Sequence, residues 1–399
     1  MRSYAKNAII LGLMSAVGPF AIDMYLPALP TIAADLGAST SATQMTLMSF
    51  FIAFGVCQIA YGPVSDMVGR KPPLYVGLGL FMLGSVGCFF SPSIGWLIAF
   101  RFVQGIGASA MMVIPRAIIR DLHTGVEATR LMAFVMLVFS VSPILAPLTG
   151  SALIVPFGWR AVFAAVTVTA LLSCVLLATA LEETLAPEKR VRASVAALAE
   201  GFGRLLRHGR FLGLTFIGAL GMSSFFSFLA GSSFVYIGHY GLTPTQYSLA
   251  FSVNAIGFIG ASQFAAALGQ RYGMHRVVLA AVSAYAFFAV VNLALALAGA
   301  DSLPLLIVMF FLTFACLGLV IPSTMVLALE EHGPIAGMAS ALGGTLQMIT
   351  GGIVIIIVSL VFDGTALPMV ASIAACALGA LALSILTLRH GVPLAQPAE

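Results

Sequence analysis

Long apolar runs, separated by short polar or charged segments, follow one another along almost the whole chain. A helix needs roughly 20 apolar residues to cross a bilayer, and twelve runs approach or exceed that length. They lie near residues 8–28, 43–66, 72–92, 95–120, 129–154 and 160–180, and near residues 210–236, 244–268, 274–297, 302–329, 335–360 and 365–389. The pattern predicts an all-α integral membrane protein with twelve transmembrane helices.

Arginine and lysine residues mark alternate ends of these runs. If the N-terminus is cytoplasmic, nearly all of them fall at cytoplasmic ends, and Arg160 is almost alone outside. Because membrane proteins retain positive charge on the cytoplasmic side, the pattern places both termini there. The first run has the basic start of a secretory signal, but Asp23 interrupts it and many spans follow, so we interpret it as an uncleaved helix.

The longest polar segment lies at the middle of the chain, at residues 182–209. Its charge density is typical of a solvated cytoplasmic linker, and it divides the chain into six-helix bundles at residues 1–181 and 210–399. Short matches between the halves, such as Thr149-Gly150 and Thr350-Gly351, give weak support for a duplication. Two bundles related by a pseudo-two-fold axis are typical of transporters that rock about a site at the bundle interface.

Composition narrows the classes of function. Hydrophobic residues make up 60% of the chain and charged residues 8%, which excludes a large water-soluble domain because a soluble surface needs more charge. The sequence has neither a metal-ligand spacing nor a phosphate-binding loop, so we predict no cofactor, no metal site and no nucleotide hydrolysis. Basic residues are too dispersed for nucleic acid. We expect a monomer whose partners are lipid, protons and a small amphipathic substrate.

Several segments carry recognisable motifs. The segment from Gly62 to Pro72 resembles the signature loop of the major facilitator superfamily. The segments from Arg101 to Ala108 and from Ser142 to Gly150 resemble the fourth-helix and fifth-helix motifs of its drug:proton antiporters. Ile22–Pro30 and Ala117–Asp121 are similar to the Bcr/CflA branch, which includes bicyclomycin and chloramphenicol exporters. The resemblance implies a major facilitator fold, a bacterial inner membrane and drug efflux by proton antiport.

Three positions depart from the family pattern. Ala146 and Ser151 stand where glycines are usual in the fifth-helix motif. The second-half counterpart of the signature loop has Gln270 where the first half has Asp66. These departures weaken the implied antiport and leave the implied fold unchanged.

Asp23 and Arg101 are the candidates for proton coupling. Asp23 lies about fifteen residues into the first helix, roughly 22 Å along it, and hence in the outer half of the membrane. A charged carboxylate there costs several kcal/mol, so its retention favours a pathway or a proton carrier. Arg101 is predicted at a similar depth, where the two charges could interact. The alternatives are a solvated helix end for Asp23 and a structural or interfacial role for Arg101.

The signature loop and the end of the fourth helix are predicted at the same cytoplasmic face. The resemblance implies that they form a gate whose charge pairs close in one conformation and break in the other. The gating candidates are Gly62, Asp66, Gly69, Arg70, Lys71, Arg120 and Asp121. The alternative is an anchor with exposed pairs worth about 0–1 kcal/mol, which we favour for Lys71.

Two further sets of residues are candidates for movement and for substrate contact. Pro143, Pro147 and Gly150 predict a hinge or a tight contact in the fifth helix, with ordinary packing as the alternative. A substrate cavity would combine aromatic and apolar side chains with a few polar groups. Its candidates are Met24, Tyr25, Gln104, Phe225, Phe226, Phe228, Asn254 and Gln347. Any single phenylalanine is more often a packing or lipid-facing residue than a ligand contact.

The leading hypothesis is export of small amphipathic drugs, with Asp23 exchanging the drug for a proton. Export of an endogenous metabolite, such as an amino acid, and passive facilitation remain open. An intramembrane enzyme would need clustered catalytic groups, and none occur in the sequence.

Overall fold

The structure is a computed structural model that describes residues 2–123, 125–190, 195–332 and 335–388. Within these residues the secondary structure is helical, without strands, and twelve helices are long and apolar enough to span a membrane. We number them spans 1 to 12: Lys6–Asp35, Thr40–Val68, Lys71–Phe89, Ile94–Leu122, Arg130–Phe157, Arg160–Ala180, Gly209–His239, Pro244–Tyr272, Met274–Leu297, Leu303–Glu330, Ala336–Val361 and Leu367–Leu388. The prediction of twelve spanning helices is confirmed.

Span 1 is interrupted near its middle. A helix from Arg2 to Asp23 is followed by a 3₁₀ turn at Leu26–Ala28 and a second helix at Leu29–Asp35. Each of the last two segments has a proline in its first turn, where a missing N–H costs no helical hydrogen bond. The prolines therefore restart the helix, and span 1 continues past its predicted end near residue 28. Asp23 consequently lies close to the middle of the span instead of near its outer end.

The loops after spans 2 and 8 turn in the same way. Each contains a glycine with positive φ, Gly69 at 102° and Gly273 at 83°, a conformation that strains residues with a Cβ. The next helix follows at once, at Lys71 and at Met274. Equivalent turns thus occur at equivalent places in the two halves.

The spans pack as two six-helix bundles, spans 1–6 and spans 7–12. In the first bundle, span 4 packs against spans 2 and 3, and span 1 packs against spans 5 and 6. In the second bundle, span 10 packs against spans 8 and 9, and span 7 packs against spans 11 and 12. The second bundle therefore repeats the packing of the first, which is the pseudo-two-fold arrangement of the predicted fold class.

The bundles meet along spans 2 and 11 and along spans 5 and 8. We call the side that carries the loops after even-numbered spans the basic face, because most arginines and lysines lie there, and the other side the opposite face. Hydrogen bonds that join the bundles lie at mid-span and toward the opposite face. Gln44 Nε2 donates to the Ala230 carbonyl (3.0 Å), Ser248 Oγ to Pro147 (2.8 Å), Ser252 Oγ to Ile144 (3.1 Å) and Thr345 Oγ1 to Gly55 (2.6 Å).

The segment between the bundles is more ordered than a solvated linker. A short 3₁₀ turn at Pro187–Lys189 and a helix at Val195–Leu206 lie within it. Leu198, Phe202 and Leu205 recur at helical spacing, which gives this helix an apolar face, and Leu205 is fully buried. The helix packs against spans 7 and 11. The charged residues of this helix therefore occupy one face of an amphipathic element, whose other face is apolar.

Candidate functional site

Asp23 lies where the broken part of span 1 meets the second bundle. Its side chain is only 5% exposed, and the 3₁₀ turn that follows it packs against spans 7 and 8. Tyr247 of span 8 is within electrostatic range. Among the described residues, none donates a hydrogen bond to the Asp23 carboxyl or forms an ion pair with it. The site is thus a buried acid at the bundle junction and not a solvated helix end.

Arg101 of span 4 is completely buried beside this segment. Its guanidinium lies between two aromatic rings, 4.7 Å from the Tyr25 centroid and 4.4 Å from the Phe50 centroid. It donates to the Ala21 carbonyl (3.1 Å) and to Gln104 Oε1 (2.5 Å). Two stacked rings and two hydrogen bonds fix the orientation of the guanidinium, although Nε and Nη2 have no described acceptor.

These contacts hold the chain on both sides of Asp23. Ala21 precedes the acid by two residues and Tyr25 follows it by two, while Arg101 does not touch the carboxyl itself. Tyr25 is held further by a hydrogen bond between its hydroxyl and Thr46 Oγ1 (2.8 Å). The structure therefore brings Asp23 and Arg101 into one site. In this conformation Arg101 contacts the backbone and aromatic frame of that site, and a direct pairing of the two charges is not formed.

The substrate-contact candidates near this site are packed tightly. The backbone of Met24 lies against Gly150 of span 5. Gln104 bridges Arg101 to Ser85 of span 3 through a 2.7 Å hydrogen bond. Tyr25 is fully buried. These candidates form the frame around Asp23, and Met24 also lines a small cavity of about 180 Å³ between spans 1, 5 and 6.

The candidates in the second bundle lie at three different places. Phe226 stacks on Phe51 of span 2 with centroids 4.2 Å apart, directly at the bundle interface. Phe228 is buried among rings of the second bundle, including Phe251 and Phe310. Phe225 is half-buried between rings of spans 8 and 10.

The polar candidates of the second bundle also differ in environment. Asn254 is buried next to Tyr236, yet neither its amide nor the tyrosine hydroxyl has a hydrogen bond of normal geometry. Gln347 is partly exposed and lies against Gly218 of span 7. Asn254 therefore has unused hydrogen-bonding capacity inside the second bundle. Gln347, in contrast, is partly accessible from outside the protein.

A charge network joins the gating candidates at the basic face. Arg70, only 5% exposed, donates through Nε and Nη2 to both carboxylate oxygens of Asp121, at 2.7 and 3.2 Å. Its Nη1 bonds Ser65 (2.8 Å) and pairs with Asp66. One buried arginine thus ties the end of span 2 to the end of span 4. Arg120 is exposed and forms no hydrogen bond or ion pair with the described residues of this network.

Glu183, which sequence reasoning assigned to the solvated linker, belongs to this network. Its carboxylate accepts the backbone N–H groups of Arg70 (2.9 Å), Lys71 (3.0 Å) and Leu185 (3.0 Å). Partial burial acts to raise the pKa of Glu183, but these N–H donors together hold it below its ordinary value. An acid beside the N-terminus of span 3 also suits the helix dipole. Its position directly after span 6 is the signal that could have identified it.

In this conformation the remaining candidates of the gate and of span 5 lie in close contact with their neighbours. A Cβ at Gly69 would meet the Glu183 carboxylate, and Gly62 lies near Val113 of span 4. Lys71 Nζ donates to the Leu181 carbonyl (2.7 Å). Span 5 stays helical through its prolines, and the Pro147 carbonyl accepts Ser248 of span 8. In this conformation the proline segment is a contact surface between the bundles.

Comparisons with known proteins identify the family of the chain. A family model described as Major Facilitator Superfamily matches residues 11–356. The chain is 36% identical over 368 residues to the MFS-type transporter YdgK of Bacillus subtilis (strain 168), covering 91% of this chain and 90% of that protein. It is 31% identical over 384 residues to the bicyclomycin resistance protein homolog of Haemophilus influenzae, covering 96% of each. It is 30% identical over 275 residues to a chloramphenicol resistance protein of Pseudomonas aeruginosa, covering 68% of this chain and 64% of that protein.

Solved structures share the fold at low identity. The xylose transporter XylE from E. coli, in a partially occluded inward-open conformation, superposes with a TM-score of 0.74 at 14% identity and covers 98% of each chain. The human organic anion transporter MFSD10 superposes with a TM-score of 0.67 at 20% identity, covering 97% of this chain and 99% of that one. At these identities the likeness concerns the architecture alone.

Proposed function

The chain belongs to the Major Facilitator Superfamily, and from that premise we propose that it exports small amphipathic drugs in exchange for protons. It is a multi-pass transporter of the bacterial inner membrane and not an enzyme. Relatives named for resistance to bicyclomycin and to chloramphenicol support drugs as the substrate class. The concentration of arginine and lysine at the basic face supports a cytoplasmic location for that face and for both termini.

The observation that carries the proposal is the isolation of Asp23 at the bundle junction. It is 5% exposed and has no cation or hydrogen-bond donor among the described residues, while Gln44 and Ser248 join the bundles on the opposite face. An ionised carboxylate without a partner in such a place costs several kcal/mol or more, and the neutral acid costs far less. Proton binding at Asp23 and closure of the opposite face therefore favour one another, because linked equilibria are reciprocal.

A cycle of exchange follows from this linkage. A proton reaches Asp23 while the opposite face is open to the outside, and the neutral site then allows that face to close. The substrate binds from the cytoplasm as the proton leaves. The ionised acid then favours the conformation in which water reaches it from outside, and the substrate is released there. The Arg70 network keeps the ends of spans 2 and 4 together while the basic face is open.

The test uses purified protein in liposomes that contain a pH-sensitive dye and a more acidic interior. Chloramphenicol or bicyclomycin is added outside, and the dye reports protons that leave in exchange. We expect proton release with the wild type and with Asp363→Asn, a control acid exposed at the opposite face, and none with Asp23→Asn. Drug equilibration without proton movement in the wild type would replace exchange by passive facilitation. Proton release evoked only by amino acids would replace drugs by an endogenous metabolite.

A further inference from the structure

Among the described residues, Arg116 of span 4 has no partner for its charge. Its side chain is half-buried, and its Nε is fully buried without an acceptor. The polar contact that it makes runs from Nη2 to Met112 Sδ at 3.6 Å, and a thioether is a weak acceptor. No described carboxylate is close enough to neutralise it. Because arginine stays protonated in proteins, this guanidinium keeps an unbalanced positive charge inside the membrane span.

The side chain does not reach for the water at the basic face. Span 4 ends at Leu122 on that face, about 9 Å from Arg116 at about 1.5 Å per residue. Met112 lies one turn further from the face, so the contact between them shows that the side chain folds back into the membrane. Arg120, one turn nearer the face, is exposed. Snorkelling to interfacial water therefore describes Arg120 and not Arg116.

Arg116 lies on a partly accessible side of span 4. Toward the opposite face, Gly105 on this side contacts span 2 and Ala108 contacts span 1. Met112 and Arg116 continue the strip between those two contacts at helical spacing. The Arg2–Asp23 helix and span 2 barely touch each other, and Met112 and Arg116 are only partly buried, so nearer the basic face the strip is partly accessible between them. A molecule that enters between the bundles from that face would meet Arg116.

The charges within the membrane favour an anion at this position. In the described spans, the charged side chains that lie away from the terminal turns are Asp23, Arg101 and Arg116. Arg101 is enclosed by aromatic rings and hydrogen bonds, and a proton on Asp23 leaves the sum positive. The net positive charge of these three side chains would repel a cationic substrate and attract an anionic group.

We propose that Arg116 binds an acidic group of the substrate, a carboxylate or a comparable oxyanion, so that the exporter takes amphipathic anions and zwitterions in preference to uncharged molecules of similar size. The guanidinium offers parallel N–H donors that fit the two oxygens of such a group. This inference rests on the proposed export function and names its substrate class. It makes Arg116 a specificity-determining residue, separate from the proton site at Asp23.

The test measures binding of matched acids and amides by calorimetry on the purified protein at neutral pH. The probes are naphthoic acid with naphthamide, and N-benzoyl-phenylalanine with its amide. We expect each acid to bind more tightly than its amide. Arg116→Gln should weaken acid binding by roughly 10- to 100-fold, the range expected for a lost charge-assisted pair, and leave amide binding within about 3-fold. Arg116→Lys should retain part of the preference for acid over amide, because lysine keeps the positive charge but lacks the paired N–H donors of the guanidinium.

Arg204→Gln is the matched control, since it removes one positive charge from an exposed arginine near the basic face. It should leave the ratio of acid to amide affinity unchanged. An acid that binds no better than its amide in both pairs, or a ratio that survives Arg116→Gln, would overturn the assignment. Amide binding and an unchanged melting temperature show that the variant is folded. Asp23→Asn should keep the acid preference, so a failure of proton exchange and a failure of this inference give different results.

Discussion

The Arg70 network predicts that its two carboxylates contribute unequally to stability. Asp121 receives two hydrogen bonds from Arg70, and the two side chains are 16% and 7% exposed, whereas the side chain of Asp66 is 52% exposed. Removing one partner of a buried charge pair costs about 3–5 kcal/mol. Because Asp66 would still neutralise Arg70, we expect Asp121→Asn to cost about 2 kcal/mol. Asp66→Asn loses a pair, one turn apart, whose carboxylate is half exposed and screened by solvent, and it should cost less than about 1 kcal/mol.

The assay is thermal unfolding of detergent-purified protein, followed by intrinsic fluorescence at one fixed scan rate because membrane proteins unfold irreversibly in such scans. The larger loss should lower the apparent Tm by roughly 4 °C and the smaller by about 1 °C. The double variant should lose more stability than the sum of the two single losses, since neither carboxylate then remains to neutralise the buried arginine.

Glu200→Gln provides the control for the removal of a carboxylate. Its pairing with Arg204 is exposed on both sides, at 74% and 70%, so its Tm should equal that of the wild type. Equal losses for Asp66→Asn and Asp121→Asn, or a larger loss for Asp66→Asn, would refute the reasoning that burial and two-point bonding make Asp121 the principal partner of Arg70.

Two further predictions concern packing and pH. Gly150→Ala would place a Cβ inside the backbone of Met24; we expect a loss of about 1–3 kcal/mol in melting experiments, whereas Gly79→Ala, with nothing within 4 Å, should be neutral or stabilising by up to about 1 kcal/mol. Hydrogen bonds from Tyr240 and His239 hold the pKa of Asp301 below its ordinary value, so its contribution to stability is present above about pH 4 and is lost as the pH falls further. The Tm difference between wild type and Asp301→Asn should therefore shrink steadily as the pH falls below about 4, and a difference that stays constant through that fall would contradict this origin.

The fold could be predicted from the sequence because it follows from the lengths of the apolar runs and from the order of the charged residues between them. Apolar runs of membrane length give the spans, and alternating basic ends give their order across the bilayer. The position of the gating candidates could be predicted for a similar reason. Asp66, Arg70 and Asp121 stand at helix ends, and helix order alone brings those ends to one face.

The interior of the site could not be predicted in the same way. The rotation of a helix is not readable when nearly every face is apolar, so the sequence did not reveal that Arg101 lies between Tyr25 and Phe50. For the same reason it did not separate Phe226, at the bundle interface, from Phe228, inside the second bundle. The sequence does not single out Arg116, because it stands close to a basic helix end, where an arginine is ordinarily an anchor.

The central claim, that a proton on Asp23 and closure of the opposite face favour one another, is tested most directly by distances across that face. Spin labels on Ala34→Cys in the first bundle and Thr245→Cys in the second, both exposed positions, report the separation of the bundles in a background without the native cysteines. Double electron–electron resonance then follows this distance from acid to alkaline pH. The account predicts that the distance lengthens in the wild type as the pH rises and stays short in Asp23→Asn at every pH. A distance independent of pH in the wild type, or one that lengthens equally in the variant, would contradict it.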